Sequence, residues 1–146
     1  MMEINLENIV NHRIATLATL VKRQVYKIIA EKKIEITPEQ WVVMYYLWQE
    51  DGLSIGEIAS RSKKDFANIT RIVDRLKSQG YVTKRKNRKD GRSYNVFMLS
   101  KADAIKNDIQ NCWIQTSDIA LDGISESEQK YLLEIFDKIE NNLLRT

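Results

Sequence analysis

The sequence predicts a mainly α-helical fold carrying one two-stranded β-hairpin, an α+β arrangement. Three observations predict it. Apolar residues recur at spacings of three and four through most of the chain, which is the period of an amphipathic helix. Three segments open with the Ser/Thr-x-x-Glu/Gln pattern of a helix N-terminus. The pattern changes to period two at only one place, on either side of an Asp-Gly pair. A chain of 146 residues with 43% apolar and 29% charged composition suits a single globular domain.

Val10, Ile14, Leu17, Val21, Val25 and Ile28 mark one helix, expected over about residues 6–30. Thr37-Pro38-Glu39-Gln40 opens a second helix: Thr caps, Pro fits the first turn, and Gln40 closes a capping box. It runs to about Gln49 and stops at Asp51-Gly52. Ser54 and Glu57 open a short third helix that ends near Arg61. A fourth starts around Asp65, with Ile69, Ile72, Val73 and Leu76 facing inward, and Gly80 placed as its left-handed terminator. Residues 81–85 and 94–99 then read as strands, joined by a turn in which Gly91 provides the tight bend. Ser100 begins a long fifth helix with Ile105, Ile109, Cys112, Thr116 and Ile119 on its buried seam. Ser125 and Glu128 open a last helix, with Leu132, Phe136, Ile139 and Leu143 on one face.

Helix, helix, helix, hairpin is the order of a winged helix-turn-helix, here about residues 36–100 of a single domain spanning 1–146. The flanks, about 1–35 and 101–146, are long amphipathic helices without a large core of their own. A second copy of the chain is the simplest surface to cover them, so a homodimer is expected.

Composition narrows the function. With one histidine and one cysteine no Ser-His-Asp or Cys-His set is expected and no internal disulfide framework is available, so the chain is not expected to be an enzyme. No metal site and no cofactor are expected. The longest apolar run, 41–48, is too short to span a bilayer, and no basic, apolar leader opens the chain; a cytoplasmic protein is expected. The net charge of +3 hides an asymmetry. Residues 54–106 hold 14 Lys/Arg against 5 Asp/Glu, and the rest of the chain holds 9 against 15. A basic middle between acidic flanks fits a nucleic-acid footprint. An anionic membrane would want a basic amphipathic helix, and the densest basic run here, 84–92, is hairpin-like.

In order along the chain come Ile36-Thr37-Pro38-Glu39-Gln40-Trp41, Ile58-Ala59, Ile69-Thr70-Arg71-Ile72-Val73-Asp74-Arg75-Leu76, Gly80-Tyr81-Val82, Asp90-Gly91-Arg92-Ser93 and Leu99-Ser100. This ordered set resembles the MarR family of bacterial transcription regulators. The chain departs from the family pattern at Lys63-Lys64, where a small or apolar turn is usual, at the bulky Phe66, and after Ser100, where the family's glycine is missing. The resemblance implies a homodimeric regulator that binds a pseudo-palindromic site on double-stranded DNA, a repressor relieved by a small molecule. The alternative is a winged-helix module for protein or RNA contact.

On the fourth helix Phe66, Ala67, Asn68, Thr70, Arg71 and Arg75 are the candidate DNA-facing residues. Asn68 has the groups to pair with adenine and Arg71 those for guanine, while Phe66 or Ala67 suits a thymine methyl. The opposing structural reading makes Asn68 a capping group and pairs Arg71 with Asp74 or Asp65. Arg75 fits a phosphate or a salt bridge. Lys63 and Lys64 before the helix, and Lys84, Lys86, Arg88 and Lys89 on the wing, are candidate phosphate contacts. Arg92 resembles the family arginine that enters the minor groove, with Asp90 holding it in place.

Trp41, Tyr45 and Trp48 fall on one face of the second helix, with Tyr46 beside them. This stripe reads as core or as part of a ligand site. Many members of the resembled family bind small phenolic or aromatic carboxylate ligands where the flanking helices meet the DNA-binding lobe. Trp41, Tyr45, Tyr26 and Trp113 are the aromatic candidates for such a site. His12, Arg13 or Arg23 could supply its cation. Cys112 on the buried seam reads as core packing rather than a redox sensor.

Overall fold

The computed structural model describes residues 3–146. A short 3-10 turn, Leu6–Asn8, precedes α1 (Val10–Lys32), α2 (Pro38–Gln49), α3 (Ile55–Ser62) and α4 (Phe66–Ser78). Strands β1 (Val82–Lys86) and β2 (Tyr94–Met98) follow, then α5 (Ser100–Ala120) and α6 (Glu126–Leu144). The strands form an antiparallel pair in which Val82 faces Met98 and Lys86 faces Tyr94. Order and type match the winged helix-turn-helix expectation.

The helix starts follow from their caps. Thr37, Ser54 and Ser125 each accept a hydrogen bond from the N–H three residues on, and Gln40, Glu57 and Glu128 return the bond to the cap's own N–H. The structure departs from expectation at α1, which starts at Val10 rather than at Leu6. Asn5 accepts from the Glu7 N–H and winds residues 6–8 into a separate 3-10 turn, and Ile9 is extended. An Asx side chain that bonds two residues on competes with the helix, and here it wins.

The core lies in the lobe made by α2, α3, α4 and the hairpin. Val43, Met44, Ile58, Ile69, Val73, Leu76 and Val96 are all fully enclosed. Truncating one such Ile or Leu to alanine costs about 2–5 kcal/mol. Gln40 is buried among them without being orphaned. Its Nε2 donates to Oε1 of Gln79 at 2.8 Å, and its Oε1 accepts from the Thr37 N–H at 2.9 Å. This pair ties the start of α2 to the residue that ends α4.

The flanking helices differ. α1 packs on α5 through Val25, Ile28, Ile109 and Cys112, but the N-terminal part of the α1 stripe (Val10, Ile14, Leu17, Val21) is exposed in the single chain. Ile119, placed on the buried seam of α5 by its spacing, is exposed as well. α6 buries no residue at all among those described. No helix of the described residues is long and apolar enough to cross a membrane.

Candidate nucleic-acid interface and ligand cavity

Asp65 positions the outer face of α4. Its Oδ1 accepts the Asn68 N–H at 2.7 Å, so Asp65, not Asn68, caps the helix. With the inward stripe at Ile69, Ile72, Val73 and Leu76 buried, Arg71 and Arg75 project from the opposite face, exposed. Asn68, Arg71 and Arg75 line one shallow hollow together with Thr37 and Gln40 at the start of α2. An Arg71 nitrogen lies 3.4 Å from Asn68 Oδ1, at the long end of a hydrogen bond. Neither Asp74 nor Asp65 pairs with Arg71: Asp65 is the cap, and Asp74 holds Lys84 at 2.7 Å. Phe66 is exposed at the helix start, Ala67 is exposed beside it, and the Thr70 hydroxyl donates back to the Phe66 carbonyl.

The basic residues divide into two groups. Lys63 is bridged to Glu140 of α6 at 2.9 Å, and the carboxylate's hydrogen bond and charge raise its pKa above the usual lysine value. Lys84 is bridged to Asp74, with its ammonium over the Tyr94 ring. These two cations are already neutralised within the chain. Among the described residues, Lys64, Arg71, Arg75, Arg85, Lys86, Arg88, Lys89 and Arg92 have no carboxylate within 4.0 Å.

The wing tip is shaped by two acceptors. Asn87 Oδ1 takes the N–H groups of Lys89 and Asp90, and Asp90 Oδ1 takes the Arg92 N–H at 3.0 Å. Asp90 therefore holds the main chain of Arg92, while the guanidinium is unpaired and exposed. The turn needs no left-handed residue at Gly91, whose φ is not positive and whose Cβ position is empty space. The tight bend assigned to Gly91 is instead the work of Asn87 and Asp90. Asn87 is a participant that sequence reasoning missed, although an Asx residue opening a turn is a readable signal.

Arg85 was missed too. Its guanidinium stacks on Phe97, 4.8 Å from the ring centroid. Phe97 in turn lies against Gly52, whose φ of +80° and missing Cβ make room for the ring. Arg85, Lys86 and Arg88 line a polar concavity of about 450 Å³ at the hairpin, with Asn87, Asn95 and Phe97. Period-two alternation could have found it: Lys84 and Lys86 share one face of β1, and Arg85 takes the other.

A cavity of about 550 Å³ opens between α2 and α5, lined by Trp41, Val42, Tyr45, Tyr46, Trp113 and neighbouring α5 residues. Trp41 and Trp113 meet edge to face, centroids 5.7 Å apart. Three of the seven ligand-site candidates therefore gather in one place: Trp41, Tyr45 and Trp113. The other four do not line the cavity. Tyr26 donates its hydroxyl to Glu39 at 3.1 Å; burial, then that bond, raises its pKa. His12 lies at the start of α1, facing Glu7 at 3.9 Å, with Arg13 beside it. Arg23 lines a different groove, with Leu17, Leu20 and Ile119. No lysine, arginine or histidine lines the aromatic cavity. Cys112 is fully buried, and burial pushes its thiol above the usual value, which fits inert packing.

The MarR family model matches residues 36–94. HTH-type transcriptional regulator TtmR of Methylorubrum extorquens (strain PA1) is 30% identical over 109 residues, 75% of this chain. That match spans 55% of the length of TtmR. Among solved structures, the PcaV transcriptional regulator from Streptomyces coelicolor, in complex with its natural ligand, superposes with a TM-score of 0.87 at 18% identity, covering 97% of this chain and 98% of that one. BpsR of Bordetella bronchiseptica, described with regulation of its DNA binding by 6-hydroxynicotinic acid, gives 0.86 at 16% identity, covering 95% and 98%. The two structures share the fold from α1 to α6. With the family model matched across the helix–helix–hairpin segment, the chain belongs to the MarR family.

Proposed function

We propose that this chain is a homodimeric, sequence-specific regulator of transcription that binds double-stranded DNA and is released from it by a small aromatic ligand, acting as a repressor. The observation that carries the reading is the outer face of α4. Asn68, Arg71 and Arg75 stand in one row, without internal partners strong enough to hold them, beside a wing whose cations, apart from Lys84, are unpaired. A helix of this kind reads base edges with its N-terminal half, so Asn68 and Arg71 are the reading residues and Arg75 a phosphate contact. Arg92, fixed by its main chain and free at its guanidinium, suits a narrow minor groove. Lys86, Arg88, Lys89 and Arg85 supply phosphate contacts that position the protein without specifying sequence.

The second copy is called for by exposed apolar surface. Leu17, Leu20 and Ile119 line a groove of about 530 Å³ along α1 and α5. Leu132, Phe136 and Leu143 stand exposed on α6. Contiguous apolar surface on this scale marks an interface. The aromatic cavity supplies the ligand site, its volume falling in the range of small-molecule clefts. The printed descriptions of TtmR as a transcriptional regulator and of BpsR as ligand-regulated in DNA binding support the same reading.

Selection of bound fragments from random DNA, at two salt concentrations, tests it. A palindromic consensus with half-sites about one helical turn apart is expected. Salt-sensitive binding with no consensus would refute sequence reading.

A further inference from the structure

Two crossings join the DNA-binding lobe to the flanking helices: residues 33–37 between α1 and α2, and Leu99 between β2 and α5. Both meet at the end of α4. Lys101, in the first turn of α5, donates from Nζ to the carbonyl of Gln79 at 2.7 Å. That carbonyl ends α4, where no intrahelical donor is left and a cation is favoured. The same ammonium stands 4.5 Å from the centroid of the Tyr81 ring and 3.8 Å from Glu35 in the first crossing. Tyr81 donates its hydroxyl to Glu35 at 3.1 Å, and its carbonyl accepts the Leu99 N–H of the second crossing at 2.9 Å. Gln79 is held twice, by Gln40 of α2 through its side chain and by Lys101 of α5 through its carbonyl. One lysine thus ties both crossings to the end of the helix that carries Asn68, Arg71 and Arg75.

We propose that Lys101 is a positioning residue: it fixes the angle of the lobe on the flanking helices, and with it the half-site spacing that two copies of the lobe accept. The inference rests on the dimeric, DNA-reading assignment above and adds a determinant of its geometry. Angles between rigid bodies are set by a few residues at the ends of elements, and this cluster is built of such residues. Lys101 does not itself face the bases. It meets α4 about three turns from Asn68, with its ammonium already committed. Nor does it hold the chain folded. The side chains of Lys101 and Glu35 are half exposed, and a pair of that kind adds little to stability. What Lys101 contributes is a choice among lobe angles that the two crossings alone leave open.

Operators with the selected half-sites at their selected spacing, and with one base pair added or removed between them, test this on the full chain and on Lys101→Met. One base pair shifts a half-site by about 3.4 Å and turns it by about a tenth of a helical turn. The parent should lose about tenfold or more in affinity on either altered spacing, as it would on a mismatched site. Lys101→Met should lose about threefold or less. The half-site consensus, the affinity for a single half-site and the urea midpoint should be the same in both chains. A nitroxide on Lys77→Cys, in the last turn of α4, reads the distance between the two lobes without DNA, the buried Cys112 staying unlabelled. It should give one narrow distance in the parent and a broad distribution in Lys101→Met. Unchanged spacing discrimination in Lys101→Met would overturn the assignment. So would a weaker single half-site or a changed consensus, which would make Lys101 a DNA contact. A selection that yields no paired half-sites refutes the DNA reading and this role with it; paired half-sites with unchanged discrimination refute this role alone.

Discussion

Replacing Gly52 by alanine should destabilise the chain by about 2–3 kcal/mol, whereas the same change at Gly91 should cost under about 0.5 kcal/mol. Gly91 sits in the hairpin's turn and Gly52 packs against its second strand, and by sequence Gly91, in an Asp-Gly pair, is the one that looks indispensable. The structure reverses this. Gly52 has φ +80°, a conformation that costs an L-residue about 1–2 kcal/mol. A Cβ there would lie 2.8 Å from Phe97 Cε1, so the ring must move, at about 1 kcal/mol for a partly exposed ring under strain. Gly91 has neither problem. Urea unfolding followed by circular dichroism, at one fixed protomer concentration because association is linked to folding, measures both. Displacing Phe97 also removes the platform under Arg85, so Gly52→Ala should weaken operator binding beyond what its lower stability explains. A Gly52→Ala midpoint within error of the parent, or a Gly91→Ala loss as large as that at Gly52, would refute this assignment.

Arg71→Ala should cost about 1–3 kcal/mol on the selected operator and much less on random DNA, as a base contact does; equal losses in gel-shift titrations would make Arg71 a phosphate clamp. With about four phosphates neutralised per protomer, a dimer should show a slope of log K against log salt near about −7, and Lys89→Ala should flatten it by about one unit per lost contact. Ile139→Asp, on the face of α6 proposed to meet the second copy, should dissociate or unfold the protein in sedimentation runs, because an unpaired carboxylate cannot sit in an apolar seam; an unchanged dimer would refute that seam. Burial, with a hydrogen bond to Glu35, raises the Tyr81 pKa from 10.0 to about 12. The folded state thus holds this proton more tightly than the unfolded state, so Tyr81 contributes stability that is intact below about pH 10 and lost as pH rises toward about 12. Tyr81→Phe should flatten alkaline unfolding in that window, and an identical alkaline profile would refute it.

Local rules made the element order legible. Capping boxes at Thr37, Ser54 and Ser125 and the left-handed Gly80 are decided by chemistry within four residues, and all four stand where the spacing put them. What the sequence could not show depends on contacts between distant residues. Lys63 and Lys84 count as free cations until Glu140, 77 positions later, and Asp74 are seen to hold them. His12 and Arg13 carry suitable charge for a ligand but sit at the far end of a 23-residue helix. Tyr26 is aromatic and close in sequence terms to Trp41, yet its hydroxyl is committed to Glu39. Spacing says which face a residue occupies; it does not say which other face lies opposite.

The Gln40–Gln79 pair has a mechanical consequence. α2 forms one wall of the aromatic cavity, and α4 carries the row of Asn68, Arg71 and Arg75. Because a side-chain amide bridge clamps the start of one helix to the end of the other, neither can slide along the other without stranding the buried Gln40 amide. A ligand in the proposed site that pushed on α2 would therefore carry α4 with it. In the proposed two-fold assembly this would happen twice, and what would change is the distance between the two reading helices rather than the shape of either. DNA with a rigid pitch then becomes the gauge: the same side chains that fit both half-sites in one setting fit only one of them in the other.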